Sequence, residues 1–263
     1  AEDELTQFHM DLASSIQAVT EEIVIKIAYS LRKETGIKNI CLAGGVALNC
    51  VANGKLLEKK IFKDIWIQPA AGDAGGALGA ALSVWYMHYS NKRNATKHED
   101  SMKGSFLGPK YSNTEIETQL IDCGATFEKL DDKAIIEEVV NSLLQEKAVG
   151  WMQGRMEFGP RALGSRSILA DPRSKFMQKQ LNLKVKFRES FRPFAPSVLK
   201  ESASEWFNIE CDSPYMLFVS DIKKNKQIKL DDEDTKLEGI EMLSVPRSIV
   251  PAVTHVDYTS RIQ

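Results

Sequence analysis

Apolar side chains fall at Leu12, Ile16, Val19, Ile23, Ile27 and Leu31, in steps of three and four, with polar residues between them. A helix turns once every 3.6 residues, so this spacing predicts a helix over 10–33 with one apolar face; Gly36 stands where it would stop. The period then changes. Asn39-Ile40-Cys41-Leu42-Ala43 predicts a short buried strand running into Gly44-Gly45, after which helical spacing resumes over 46–60. Asp64-Ile65-Trp66-Ile67-Gln68 predicts a second strand, 69–73 its loop, and 74–89 a small-residue helix able to pack closely on a sheet. Strand, glycine loop and helix in succession predict an α/β layer that binds ligands at the carboxyl ends of its strands.

The stretch 91–103 is polar and has no apolar period, which predicts a linker, placed at 96–105 between a unit of residues 1–95 and a second of 106–263. Beyond it the pattern predicts a helix over 132–145 and strands at 148–152, 167–170, 197–199 and 215–221. The charged run from Lys223 to Asp234 reads as a solvated surface hairpin or insertion.

With 263 residues, 43% of them hydrophobic and 27% charged, the chain is of the soluble globular class and long enough for two cores. Cys41, Cys50, Cys123 and Cys211 show no C-x-x-C pairing and lie mostly in apolar runs, as expected of reduced, buried thiols in a cytoplasmic protein. No apolar run approaches the ~18 residues that span a bilayer, and the start Ala1-Glu2-Asp3-Glu4 is opposite in charge to a signal peptide.

Net charge is −2, yet from Arg155 to Arg192 six arginines and four lysines face only Glu157, Asp171 and Glu189. A local cationic patch on an acidic protein predicts a site for a small polyanion, because a nucleic-acid binder spreads its charge over a wider face. Arg155, Arg161, Arg166, Lys186, Arg188 and Arg192 lie among Phe158, Phe187, Phe191 and Phe194, where guanidinium groups repel one another unless an anion joins them. Glu157 is expected to stay ionised and to orient an arginine or help hold Mg²⁺. Gly44 and Gly45 either form a plain tight turn or let a phosphate or nucleotide approach the backbone. Asp73 either caps the following helix or binds a hard cation, the cap being favoured for an isolated aspartate. Of the histidines, His9, His88 and His98 show no ligand spacing; His255, in an apolar strand pattern and followed by Arg261, is placed to reach the anion pocket.

The runs Gly-Gly-Val-Ala-Leu-Asn at 44–49, Gly-Asp-Ala-Gly-Gly-Ala-Leu-Gly-Ala-Ala at 72–81, Gly-Arg-Met-Glu-Phe-Gly-Pro-Arg-Ala-Leu-Gly at 154–164, Phe-Arg-Pro-Phe-Ala-Pro at 191–196 and Pro-Ala-Val-Thr-His-Val-Asp at 251–257 resemble the NodU/CmcH/TobZ-type carbamoyltransferases, almost end to end. The resemblance implies an α/β fold: the second half of an actin/Hsp70-like (TsaD-like) ATPase domain, then a YrdC-like domain. It implies an ATP-dependent enzyme that uses carbamoyl phosphate, through a carbamoyl adenylate, to carbamoylate a hydroxyl of a small-molecule acceptor such as a sugar, antibiotic or nodulation factor. It implies that Arg155, Arg161, Arg166, Arg188, Arg192 and His255 serve the chemistry, that Gly44, Gly45, Asn49, Lys186 and Arg261 bind the nucleotide, and that Asp73 binds Fe²⁺ or another divalent metal, with Mg²⁺ accompanying ATP. The family's His-x-x-x-His metal pair is absent from this sequence and relatives continue past Gln263, so an internal fragment is expected. A nucleic-acid or membrane partner is not expected; a homodimer is allowed. The alternatives are a tRNA threonylcarbamoylation enzyme, against which net charge −2 argues, a non-catalytic nucleotide-binding scaffold, and an actin-like sugar kinase, which gives no reason for the arginine motifs.

Overall fold

The computed structural model describes residues 5–94 and 100–263; the acidic start, His98 and part of the expected linker lie outside the described residues. The fold is mixed α/β, with three two-stranded sheets among the described residues.

Helix α1 (Gln7–Thr35) realises the first expected helix. The Thr6 N–H donates to His9 Nδ1 (3.1 Å) at its start, and Gly36, at φ 67°, returns its N–H to the Arg32 carbonyl (3.1 Å) at its end. The face it packs is not the apolar stripe. Ile16 is 66% exposed, and Leu12, Val19, Ile23 and Ile27 are exposed with it, whereas Glu21 and Ala28 are buried. Contact with α2 (Cys50–Glu58) runs instead along Gln17, Glu21 and Ala28, because the small Ala28 lets the helices close and each polar partner is satisfied. Gln17 and Asn49 exchange amide hydrogen bonds (3.2 and 2.8 Å), and Lys55 pairs with Glu21.

Strands β1 (Asn39–Leu42) and β2 (Asp64–Ile67) form where expected and pair in parallel, but β1 alternates exposed and half-buried residues and is not the buried strand expected. The helix expected over 46–60 is split: Gly45–Leu48 is a 3₁₀ turn, and Asn49, at ψ 89°, caps α2 by accepting from Ala52 N (3.1 Å). Helix α3 (Asp73–Ser83) widens into a π turn at Val84–His88, and none of its residues is buried, so its small residues do not pack on a sheet.

Helix α4 (Asn113–Asp122) was not anticipated from apolar spacing, yet a capping box marks it: Ser112 N donates to Glu115 Oε2 (2.7 Å) and Glu115 N to Ser112 Oγ (3.3 Å). Helix α5 (Asp132–Leu144) and the antiparallel pair β3 (Val149–Met152) and β4 (Arg166–Leu169) follow. Short helices α6 (Met177–Gln180) and α7 (Ala203–Trp206) precede β5 (Phe218–Asp221), which pairs antiparallel with β6 (Thr259–Ile262). The strand expected at 197–199 is an extended loop whose Val198 N donates to the Gln263 carbonyl (3.0 Å), and that expected at 215–221 shortens to β5.

One buried cluster draws on both segments, joining Ala47, Ile67 and Ala71 to Leu163, Phe207, Leu217, Ile222 and Ile262. Each fully buried Leu or Ile contributes roughly 1.5–3 kcal/mol. Helix α2 lies on β5 so closely that a Cβ on Gly54 would sit 2.4 Å from the Val219 carbonyl oxygen. Beside it the buried Asn53 amide donates to the carbonyls of Ala47 (2.8 Å) and Leu217 (3.1 Å). All four cysteines are unpaired, but Cys41, Cys123 and Cys211 are exposed rather than buried, since they sit on outward faces of their runs. Among the described residues, no helix is long and apolar enough to cross a membrane.

Candidate anion-binding site

The glycine-rich loop 154–165 is held by a carboxylate. Glu157 is only 9% exposed, and its Oε1 accepts from the backbone N–H groups of Leu163 (2.7 Å), Ser165 (2.7 Å) and Arg166 (3.4 Å). Burial pushes its pKa up, but these amides outweigh burial and the net shift is downward, so the group stays ionised. The partners of Oε1 are main-chain amides, and among the described residues no arginine side chain pairs with this carboxylate. Gly159, at φ 128°, lets the loop lie against the Pro69–Ala70 turn, where a Cβ would stand 3.2 Å from the Pro69 carbonyl oxygen.

Arg161 is thereby aimed at the first segment. One terminal nitrogen donates to the Leu48 carbonyl (3.2 Å), while its Nε–H is buried without a partner. Arg261 comes from β6, opposite Val219 of β5, and its Nε is likewise buried and unpaired. Burial first, then the nearby Arg161 and Arg188, lower the Arg261 pKa, while contact with the Cys50 thiol acts the other way. Arg188 donates from Nε to Asn182 Oδ1 (2.7 Å) and stacks its guanidinium over Phe194, 5.2 Å from the ring centroid. Its pKa too is lowered, by burial and then by Arg192. These groups form a cationic cluster with too few acceptors, a costly arrangement by itself and one that an anion would relieve.

His255 joins the cluster, though not from a strand. It follows the 3₁₀ turn Pro251–Val253, and its backbone N–H donates to the Thr259 carbonyl (2.8 Å), which folds the ring back over β6. Nδ1 lies 2.9 Å from Thr259 Oγ1, and Nε2 is buried without a partner. Burial, the leading cause, lowers the His255 pKa, and Arg261 adds to the effect while Asp257 opposes it.

The other expected cations do not converge in this way. Arg155 donates to the Gly108 carbonyl (3.0 Å), and Arg166 to the carbonyls of Gln153 (3.1 Å), Ser165 (2.7 Å) and Gly154 (3.4 Å). Arg166 also lines a cavity of about 590 Å³ with Lys110, Tyr111, Trp151 and Gln153. Arg192 pairs with Glu189 (2.8 Å), and Lys186 is exposed. Cys50, Asn182, Asp257 and Thr259 were not anticipated as members of the site. For Asn182, fully buried and bridging Ser190 and Arg192 carbonyls (3.0 and 2.8 Å), the available signal was an amide between two leucines.

In the first segment Gly44, at φ 92°, and Gly45 leave open space above them, so a ligand can approach the backbone there. Both acceptor positions of Asn49 are occupied, by Ala52 N and by Gln17, so Asn49 shapes the loop. Asp73 is exposed and does not cap α3, whose N-cap is Gly72. Among the described residues no group of three or more His, Cys, Asp or Glu side chains is placed to hold a metal ion.

The family description "Carbamoyltransferase N-terminus" matches residues 1–82, and "Carbamoyltransferase C-terminus" matches 140–263. An uncharacterized protein of Synechocystis is 54% identical over all of the chain and 43% of its own length. Nodulation protein NolNO of Sinorhizobium fredii is 42% identical over 98% of the chain and 35% of its own length, and nodulation protein NolO of Bradyrhizobium diazoefficiens 40% identical over 98% and 43%. The chain spans about two-fifths of the length of these curated relatives.

Proposed function

Because the chain belongs to the carbamoyltransferase family, we propose that its arginine cluster binds carbamoyl phosphate and the phosphates of ATP and promotes formation of a carbamoyl adenylate. The observation that carries this reading is the pair of buried, unpartnered Nε–H groups on Arg161 and Arg261. A phosphoryl oxygen placed between them would satisfy both donors and neutralise the repulsion among Arg161, Arg188 and Arg261. In this reaction water releases inorganic phosphate from carbamoyl phosphate, and an oxygen of the resulting carbamate attacks the α-phosphorus of ATP. Pyrophosphate leaves; the carbamoyl group then passes to an alcohol oxygen of a small acceptor, whose proton is lost as AMP departs.

The arginines would act by charge neutralisation and alignment, with the loop that Glu157 staples holding Arg161 ready before substrate arrives. The actin/Hsp70-like and YrdC-like architecture belongs to this same reading, and so does an acceptor such as a sugar, antibiotic or nodulation factor. No step is assigned to a metal.

The test is pyrophosphate release by the whole protein given ATP and carbamoyl phosphate. Release is expected only with both present, and Arg161→Ala should lower it by about a hundredfold or more, as for loss of a donor to developing charge. Release that is indifferent to carbamoyl phosphate, or unchanged in Arg161→Ala, overturns the assignment.

A further inference from the structure

The arginines of the cluster can only donate hydrogen bonds, whereas His255 can present an acceptor. The Thr259 hydroxyl has a single proton, and it goes to Asp257 Oδ1 at 2.7 Å, since a carboxylate only accepts. At 2.9 Å from the same hydroxyl oxygen, His255 Nδ1 must therefore be the donor, and in the neutral imidazole that burial favours this leaves Nε2 as a bare lone pair. The chain of bonds from Asp257 through Thr259 thus fixes the tautomer. Thr259 and Arg261 are two apart on β6, so both project from the same face of the strand, opposite the buried Ser260 and Ile262. The imidazole that Thr259 holds therefore lies on the Arg261 side of β6. A buried acceptor without a donor stands beside buried donors without acceptors.

That combination selects its guest. A ligand satisfying it needs oxygen acceptors for the guanidinium groups and an N–H donor for the imidazole. We propose that His255 is the specificity-determining residue of this pocket, its unpaired Nε2 accepting a hydrogen bond from the carbamoyl NH₂ group while Arg161 and Arg261 take the phosphoryl oxygens. Acetyl phosphate is the same size and charge but has a methyl where carbamoyl phosphate has the amine. Bound in this pocket it would leave Nε2 buried and unsatisfied, which is how a site rejects an isostere that lacks a hydrogen-bonding group. The inference rests on the reading of the arginine cluster as an acyl phosphate site.

The experiment measures dissociation constants of the whole protein for carbamoyl phosphate, acetyl phosphate and inorganic pyrophosphate. The wild type should prefer carbamoyl over acetyl phosphate by about tenfold or more. In His255→Asn the short amide keeps a donor to Thr259 but presents no acceptor at the Nε2 position, and the preference should fall to near one. In His255→Gln the longer side chain can return an oxygen to that position and should restore much of it. A purely structural role would weaken both acyl phosphates alike and leave their ratio untouched. Equal wild-type affinity for the two, or an unchanged ratio in His255→Asn, overturns the inference while leaving the anion site standing. Pyrophosphate binding without affinity for either acyl phosphate removes the carbamoyl phosphate reading, and the inference falls with it.

Discussion

Replacing Glu157 tests whether a buried carboxylate holds the arginine loop. Its Oε1 accepts two short bonds from backbone amides, at 2.7 Å each, and a weak third at 3.4 Å. A hydrogen bond to a charged group contributes about 1.5–3 kcal/mol and a neutral one about 0.5–1.5. Glu157→Gln keeps the acceptor and loses the charge, so about 1 kcal/mol on each short bond, or ~2 kcal/mol in all, should go. By the usual scaling for a chain of this size that is a fall in Tm of roughly 4–8 °C at pH 7. The pH dependence identifies the charge as the cause. With the folded pKa held below the ordinary glutamate value, the carboxylate's contribution is complete above that ordinary value and is lost as pH falls through the folded pKa. Urea unfolding of wild type and Glu157→Gln at pH 7 and in steps down to pH 3 should therefore show a stability gap that closes on acidification. A gap that is absent at pH 7, or that persists unchanged at the acid end, refutes the staple.

Arg261→Met should raise the Tm of the ligand-free protein, because it removes a buried cation that repels Arg161, and should abolish thermal protection by pyrophosphate; loss of Tm without ligand counts against the cluster being frustrated when empty. Gln17→Leu should cost about 1–3 kcal/mol in urea unfolding, and combining it with Asn49→Ala should cost less than the two singly, since they break one shared pair of bonds. Additive losses would dissolve that coupling. Gly54→Ala should destabilise by roughly 1–3 kcal/mol despite the better helix propensity of alanine, as its Cβ meets the Val219 carbonyl; a stabilised variant would show that α2 and β5 have room to spare.

Local order was legible in the sequence wherever a short-range rule decides it. The end of α1 at Gly36, the strands at Asn39–Leu42 and Asp64–Ile67 and the helix Asp132–Leu144 follow from period, glycine and capping alone. What period could not reveal was which face is used. The apolar stripe through Ile16 and Ile23 looked like the packing surface of α1, but the seam with α2 runs through Gln17, Glu21 and Ala28, where satisfaction of polar pairs decides the contact. A hydrophobicity pattern assigns those positions to solvent because the partners that neutralise them are more than thirty residues away.

The site divides in the same manner. Counting charge between Arg155 and Arg192 was enough to expect an anion pocket, but not to tell a pocket arginine from a strut. Arg155 gives one bond and Arg166 three to carbonyls of the loops around them, and Arg192 pairs with Glu189. Among the arginines expected in the site, Arg161 and Arg261 are distinguished by what they lack, a partner for a buried Nε, a lack that Arg247 shares outside it; a missing partner is a property of three-dimensional placement alone. His255 makes the point most sharply. Its position in the chain suggested proximity to Arg261, whereas its chemical role depends on one proton of Thr259, committed to Asp257, that leaves the imidazole an acceptor among cations. A pocket of arginines alone would take any phosphate of suitable size; on the proposed reading, this single inverted polarity would give the cluster a means of telling one acyl phosphate from another.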